Sequence, residues 1–366
     1  MYNLMKKLYK ASYIMEIIKN TYELDNLSYA IDKYFDKTTL FFDIECTGLS
    51  PRKSFIYLIG YATRNNNSVT ITQLLAANES EEIEIITEFE NVMASYDNLL
   101  GFNSTRFDES FILERCRKYN FNTKIKSKNH MDMYLKTTKA RCLLDLPNYK
   151  QKTIEQYLGL NRDDKYNGGE LIPVYEKYSL TGDLESKNLI LLHNYEDVQG
   201  MIYITDILTY PDLFNSQLRY VSHELEADKL RFIVETDIII PNSINKQRDY
   251  GLYIIKDNRI YVTLDLFNGE LLTFLPDYKN YYYLINEDMI IPKSLGESMD
   301  KNSRRPAKKQ DCKVKKEGQF LALPEKIDIG TTRIFKPSYE AKEAFVDVND
   351  ITPNLLLKVV RYMLKH

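Results

Sequence analysis

The sequence predicts an α/β protein, with a mixed sheet flanked by helices over 38–210 and a smaller β-rich module over 220–366. Three observations predict it. Runs 39–45, 55–63 and 68–75 are β-branched or aromatic and are separated by polar breaks, which reads as three consecutive strands. Helix-period and short strand patterns then alternate, the signature of a mixed α/β layer. Past Tyr210 the pattern changes to short apolar runs punctuated by turn residues.

Taken in order, residues 1–37 read as a helical lead-in. After the three strands, Ile83, Ile86, Phe89, Val92, Met93 and Tyr96 recur at three- and four-residue steps, predicting an amphipathic helix over 80–96. Residues 98–103 form a short strand and 108–119 a charge-rich helix, with a further strand at 123–126 or 130–133. Residues 152–159 and 186–208 read as helices. In the second module, Ile238-Ile239-Ile240, Tyr253-Ile254-Ile255, Ile260-Tyr261-Val262 and Leu271-Leu272-Thr273-Phe274 are strand signals. Asp257-Asn258 and Asn268-Gly269 read as hairpin turns between them, and 354–365 as a closing helix.

The bulk numbers fit two domains: 366 residues, 44% apolar and 28% charged. With a net charge of −3 there is no global field for polyanions. Residues 1–210 carry 25 Lys and Arg against 29 Asp and Glu. Residues 301–316 carry eight Lys and Arg against one Asp, a local anchor for phosphates or a solvated loop. Tyr278, Tyr281, Tyr282 and Tyr283 nearby add the aromatics of a single-strand platform, or the alternate faces of a core strand. Cys46, Cys116, Cys142 and Cys312 are dispersed with no C-x-x-C pair, so reduced thiols in the cytoplasm are expected and neither a zinc site nor an iron–sulfur set is indicated. The N-terminal apolar runs are broken by Glu16, so no signal peptide or membrane span is expected. No Walker-type P-loop is present.

The most informative segment is Phe42-Asp43-Ile44-Glu45-Cys46-Thr47-Gly48. Side chains alternate along a strand, so Asp43 and Glu45 project from one face of an otherwise apolar run. Two adjacent carboxylates repel and are costly to desolvate unless a cation lies between them; a divalent metal with oxygen ligands is the usual solution, and two acids at an exposed strand end are the competing explanation. A second acid, Asp108, ends Gly101-Phe102-Asn103-Ser104-Thr105-Arg106-Phe107-Asp108, where helix capping is the competing explanation. The third element is His193-Asn194-Tyr195-Glu196-Asp197. A spacing of four puts His193 and Asp197 one turn apart on a helical face that Leu189 and Met201 mark as inward. Asp132, after a short strand, reads first as a helix cap and second as an acid supporting the site.

Asp43 and Glu45, Asp108, and Asp197 in this order resemble the three exonuclease motifs of the DEDD superfamily, which has a ribonuclease H-like fold. Gly-Phe-Asn-x-x-x-Phe-Asp is similar to the proofreading domains of family B DNA polymerases, and the layout resembles a bacterial family of predicted ribonuclease H-like exonucleases. The resemblance covers about 38–210, with support from Leu158-Gly159-Leu160-Asn161-Arg162 and Gly168-Gly169-Glu170. It implies two Mg²⁺ or Mn²⁺ ions held by Asp43, Glu45, Asp108 and Asp197, with Asp43 bridging both. It also implies hydrolysis of single-stranded DNA or RNA ends, 3′ to 5′. His193 would orient or deprotonate the attacking water, the role imidazole most often fills among side chains.

One departure stands out. The superfamily places Tyr four residues, or His five residues, before the third-motif Asp; here His193 takes the four-residue position and Leu192 the five. A helix turns about 100° per residue, so the offset changes where the base points. A catalytically weak or inactive nucleic-acid-binding module is therefore the alternative function. Asn103 and Phe107 are candidates for contacting the terminal nucleotides, by hydrogen bonding and stacking, or else for holding the turn and filling the core.

Overall fold

The computed structural model describes residues 15–366 apart from 26, 161–165, 167, 250, 326, 329 and 331. It divides into two compact units, Met1–Asp212 and Leu213–His366.

The first unit is built on a six-stranded sheet. Its elements are β1 (Glu16–Glu23), α1 (Tyr29–Tyr34), β2 (Thr39–Cys46), β3 (Ile56–Asn65), β4 (Ser68–Leu75), α2 (Glu82–Met93), β5 (Asn98–Gly101), α3 (Asp108–Lys118), β6 (Asn129–Asp132), α4 (Met133–Thr137), α5 (Gln151–Tyr157), α6 (Gly168–Thr181), α7 (Leu184–Tyr203) and α8 (Thr209–Asp212). Strand order is β1-β4-β3-β2-β5-β6. The pairs along β1-β4-β3-β2 are antiparallel, and β2-β5 and β5-β6 are parallel. This is a ribonuclease H-like mixed sheet.

Alternation along the strands sorts the two faces. Phe42, Ile44 and Ile59 pack with Phe89 and Met93 of α2 and Phe111 and Ile112 of α3. Tyr57, Leu58 and Leu75 pack on the opposite face with Leu171 and Tyr175 of α6 and Ile190 of α7. Glu82 and Arg115, both fully buried, join α2 to α3, with Arg115 Nε donating to Glu82 Oε1 at 2.7 Å. The same Glu82 oxygen accepts from Ile56 N at 2.7 Å, so the ion pair also anchors β3.

The lead-in expected to be helical is corrected over Glu16–Glu23, which is a strand pairing with β4 from Glu16↔Leu75 to Glu23↔Ser68. Its β-branched and aromatic residues suit a sheet edge, and β4 offers an unpaired ladder. Residues 1–14 of that lead-in, and Asn161 and Arg162, lie outside the described residues. The further strand is β6 at Asn129–Asp132; Ile125–Ser127 is a 3₁₀ turn. The sequence pattern predicts no helix at α6, whose Gly-Gly start and internal Pro173 mask its 3.6-residue period.

The second unit contains β7 (Leu218–Glu226), β8 (Lys229–Thr236), β9 (Ile244–Arg248), β10 (Gly251–Lys256), β11 (Arg259–Phe274), β12 (Tyr281–Leu284), β13 (Met289–Pro292), α9 (Lys293–Gly296), β14 (Arg304–Pro306), β15 (Lys313–Leu323), β16 (Ala344–Asp347) and α10 (Pro353–Lys365). It is β-rich. Strands β16-β15-β11-β10-β9 run side by side with β8 also on β11 and β7 on β8; β13-β12-β14 form a small separate sheet.

Two turn and strand expectations change here. Asn268-Gly269 is no hairpin turn: it lies inside the sixteen-residue β11, which pairs with β8 and β10 up to Asp265 and with β15 from Leu266 onward. Ile238-Ile239-Ile240 forms no strand. Thr236 Oγ1 takes the Ile238 N–H at 3.3 Å and Pro241 has none to offer, so no ladder propagates, although Ile238 and Ile240 are buried. Asp257-Asn258 is a turn, with Asp257 in the left-handed region at φ 53°.

Candidate active site

The β2–β5 parallel ladder ends at Phe41↔Leu100, so the last residues of β2 run on past their neighbour. Asp43 and Glu45 sit on this overhang, facing α7, while Phe42 and Ile44 point into the opposite core. Because β5 no longer claims it, the Ile44 N–H donates to Asp108 Oδ1 at 3.1 Å. Asp108 is the first residue of α3 and nearly fully buried, and Phe107 at the N-cap makes no side-chain cap bond. Its carboxylate thus ties α3 to the acidic strand.

From α7, His193 is buried and its Nε2 lies 3.2 Å from Asp197 Oδ2 and 3.4 Å from Glu45 Oε1. The four-residue spacing therefore does bring His193 and Asp197 together on an inward face. One donor atom from each of Glu45, His193 and Asp197 lies within 4.8 Å of the others, the separation at which three side chains can share a metal ion. At the N-terminus of α6, a Cβ on Gly168 would come to 3.4 Å from Glu45 Oε2, so the helix start approaches that carboxylate closely.

The acids press on each other. Burial, followed by the charges of Asp108, Asp197 and Glu45, pushes the Asp43 carboxyl well above the usual carboxylate range. Burial, with Asp132 and Asp197 adding to it, lifts Asp108 to about 7 although the Ile44 N–H opposes the shift. Neither Asp43 nor Asp108 pairs with a Lys or Arg among the described residues. A divalent cation would relieve this repulsion, so the donor set fits a hard metal.

Three residues that shape the site carry no assignment from sequence. Asn194, fully buried, donates from Nδ2 to Asp43 Oδ2 at 3.1 Å. Its Oδ1 accepts from Gln73 Nε2 at 3.0 Å. Gly60 lies between them in register, opposite Asp43 on one side and Gln73 on the other. A Cβ at Gly60 would collide with Asn194 Oδ1, so this glycine lets α7 lie against the sheet. The available signal was Gln73, a polar residue interrupting the apolar run 69–75.

Asp132 accepts from Leu135 N at 3.2 Å, capping α4, and from Asn103 N at 3.1 Å and Thr105 N at 3.2 Å. It thereby holds the turn before Asp108. Asn103 is exposed in the left-handed region at φ 58°, a conformation Asn tolerates. Phe107 is partly buried against the α2–α3 core, 5.7 Å from Phe111 between ring centroids. His130 stands between Ser104 Oγ at 2.9 Å and Glu109 Oε2 at 2.8 Å. Ser104 is fully buried, so the trio braces the turn and offers no exposed nucleophile.

Residues 40–209 match the family model described as the RNase_H superfamily. No curated protein matches the chain in sequence. Among solved structures, the chain is similar to a family B DNA polymerase from the hyperthermophilic archaeon Pyrobaculum calidifontis, at 10% identity and a TM-score of 0.37, covering 78% of this chain and 42% of that one. It is also similar to E. coli exonuclease I in a zinc-bound complex with single-stranded DNA, at 11% identity and a TM-score of 0.29, covering 55% of this chain and 54% of that one. The chain thus spans about half the length, or less, of these structures.

Proposed function

We propose that the chain is a metal-dependent exonuclease, a reading supported by the match of residues 40–209 to the RNase_H superfamily model. It hydrolyses phosphodiester bonds at single-stranded DNA or RNA ends in the 3′ to 5′ direction. The observation that carries this reading is the convergence of Glu45, His193 and Asp197 beside Asp43 and Asp108, two carboxyls raised by burial and mutual repulsion.

Asp43, Glu45, Asp108 and Asp197 would hold Mg²⁺ or Mn²⁺, in two ions. Bound there, the metal would supply Lewis acidity at the phosphate and lower the pKa of the attacking water. Asn194 keeps Asp43 aimed at the site, and the Ile44 N–H does the same for Asp108. His193 takes the proton of the attacking water at its ring nitrogen, with Asp197 and Glu45 stabilising the imidazolium that forms. The exposed side chain of Asn103 bonds the terminal nucleotide, and Phe107 supports it from the core. Cys46, Cys116, Cys142 and Cys312 form no disulfide with one another, which fits a reducing compartment such as the cytoplasm.

The test is cleavage of 5′- and 3′-labelled single strands of DNA and RNA in Mg²⁺, Mn²⁺ or EDTA, with Asp43→Ala alongside. The proposal requires a metal-dependent ladder that the variant loses while remaining folded. The label that shortens first reports the direction.

A second reading, a catalytically weak or inactive nucleic-acid-binding module, is favoured by His193 Nε2 standing between Glu45 and Asp197. An imidazolium there would satisfy both carboxylates without metal. Strand binding with no cleavage in either metal selects it.

A further inference from the structure

The second unit holds a groove of about 670 Å³ between the end of β11 and residues 333–339. Backbone bonds set its walls. Leu272 and Lys336 exchange N–H···O bonds of 2.8 Å in both directions, and Leu275 N donates to Cys312 O at 2.9 Å. Phe274 and Tyr339 meet edge to face along the groove, their ring centroids 5.2 Å apart. Lys309, Arg333 and Lys336 line it, and among the described residues no acid does.

Four of the eight cations in the basic run that the sequence singled out are paired with acids, Lys313 with Asp288 at 3.8 Å among them. Arg305 is paired with Asp311 at 2.6 Å, Lys315 with Glu270 at 2.7 Å, and Lys316 with Asp347. The guanidinium groups of Arg304 and Arg305 each lie 4.2 Å over the rings of Tyr282 and Tyr283, so those aromatic faces are already covered. In the groove, Lys336 Nζ is committed to Ala341 O at 2.7 Å. Lys309 and Arg333 are exposed and make no ion pair among the described residues.

We propose that this groove binds single-stranded nucleic acid, with a base against Tyr339 and Phe274 and the adjoining phosphates at Lys309 and Arg333. Cations that make no ion pair among the described residues, in a groove that no acid among them lines, select an anion. Aromatic walls select an anion that carries planar rings, and the volume is that of a ligand site. The proposal deepens the function above and rests on its reading of the substrate as a nucleic-acid strand.

Binding of a labelled single-stranded oligonucleotide to the full chain in EDTA, followed by fluorescence anisotropy across a salt series, tests it. A Lys309→Glu, Arg333→Glu double variant should weaken binding at least tenfold. It should also lower the slope of log affinity against log salt by about two, one for each phosphate that the variant no longer neutralises. Tyr339→Ala should weaken binding about tenfold, the effect of removing one base stack, while Tyr339→Phe should retain it. Unchanged affinity in the double variant and in Tyr339→Ala overturns the proposal. So does a mononucleotide that displaces the strand with the strand's own affinity, which would make this a free-nucleotide site. Cleavage measured on the same preparations separates the two readings. Wild-type cleavage with unaltered variant binding removes the groove and keeps the nuclease. Strand binding that the variants lose, with no cleavage in any metal, removes the nuclease and keeps the groove.

Discussion

Asn194 donates its Nδ2 to Asp43 Oδ2 at 3.1 Å, and a backbone carbonyl on the same helix fixes the direction of that bond. Gln73 Nε2 donates to Leu191 O at 2.8 Å, and a carbonyl only accepts. The same nitrogen donates to Asn194 Oδ1, which leaves the Asn194 amide nitrogen facing Asp43. Asn194→Leu keeps the volume and removes both bonds. It should cost roughly 1–3 kcal/mol in urea unfolding, the penalty of stranding buried polar groups. It should also raise the metal concentration needed for half-maximal cleavage. A stability loss with an unchanged metal requirement would confine Asn194 to packing.

The raised Asp108 predicts how stability varies with pH. Its carboxyl has a pKa near the ordinary 3.8 in the unfolded chain and about 7 in the fold. Between those values the folded state holds a proton the unfolded state has lost, so metal-free stability falls as pH rises through this window. Asp43 acts in the same direction. Metal binds the ionised carboxylates, so its stabilising effect should be largest above about pH 7. Thermal melts in EDTA and in Mn²⁺ across this range check it. An EDTA melting temperature that rises from pH 4 to 7 would contradict it.

His193→Gln removes the imidazole between Glu45 and Asp197. If that ring is the general base, kcat should fall by about 10²–10⁴ while strand binding in EDTA holds. A variant that keeps its rate and binds metal more tightly would show instead that the imidazole competes with metal for the two carboxylates.

Gly60→Ala places a methyl against Asn194 Oδ1. Either the Asn194 side chain gives up its bonds to Asp43 and Gln73 or α7 shifts away from β3, at a cost of about 1–3 kcal/mol. Cleavage should fall with it, since His193, Asn194 and Asp197 all ride on that helix. Wild-type unfolding midpoint and activity in this variant would refute the close contact.

Arg115→Ala should be the costliest of these substitutions, at about 3–5 kcal/mol, because it strands the buried Glu82 carboxylate. Metal dependence of the folded fraction should not change, since neither residue is among the converging donors. Chemical denaturation alongside a metal titration of cleavage separates the two effects.

The local patterns were legible where one periodicity governed a segment. The strands at 39–46, 56–65 and 68–75 and the helices carrying Phe89, Phe111 and His193 follow from apolar spacing alone. The same rule placed Asp43 and Glu45 on one strand face and His193 beside Asp197 on one helix face. It failed for Glu16–Glu23, an edge strand exposed throughout except at the half-buried Ile18 and Tyr22, and for Gly168–Thr181, where Gly-Gly and Pro173 hide the helical period. It also split β11 at Asn268-Gly269, because a turn-favouring pair is tolerated inside a strand that changes partners.

By itself, then, the sequence determined which side chains share an element and a face, because period-2 and period-3.6 geometry is local. Only the tertiary structure decided which atoms meet. The end of the β5 ladder frees the Ile44 N–H for Asp108, and Gly60 admits Asn194 to Asp43. Within 301–316, Lys315 and Lys316 meet acids on other strands, Arg305 and Lys313 meet Asp311 and Asp288, and Lys309 lines the groove. Those pairings depend on strand order and close approach between segments distant in the chain, which no local spacing encodes.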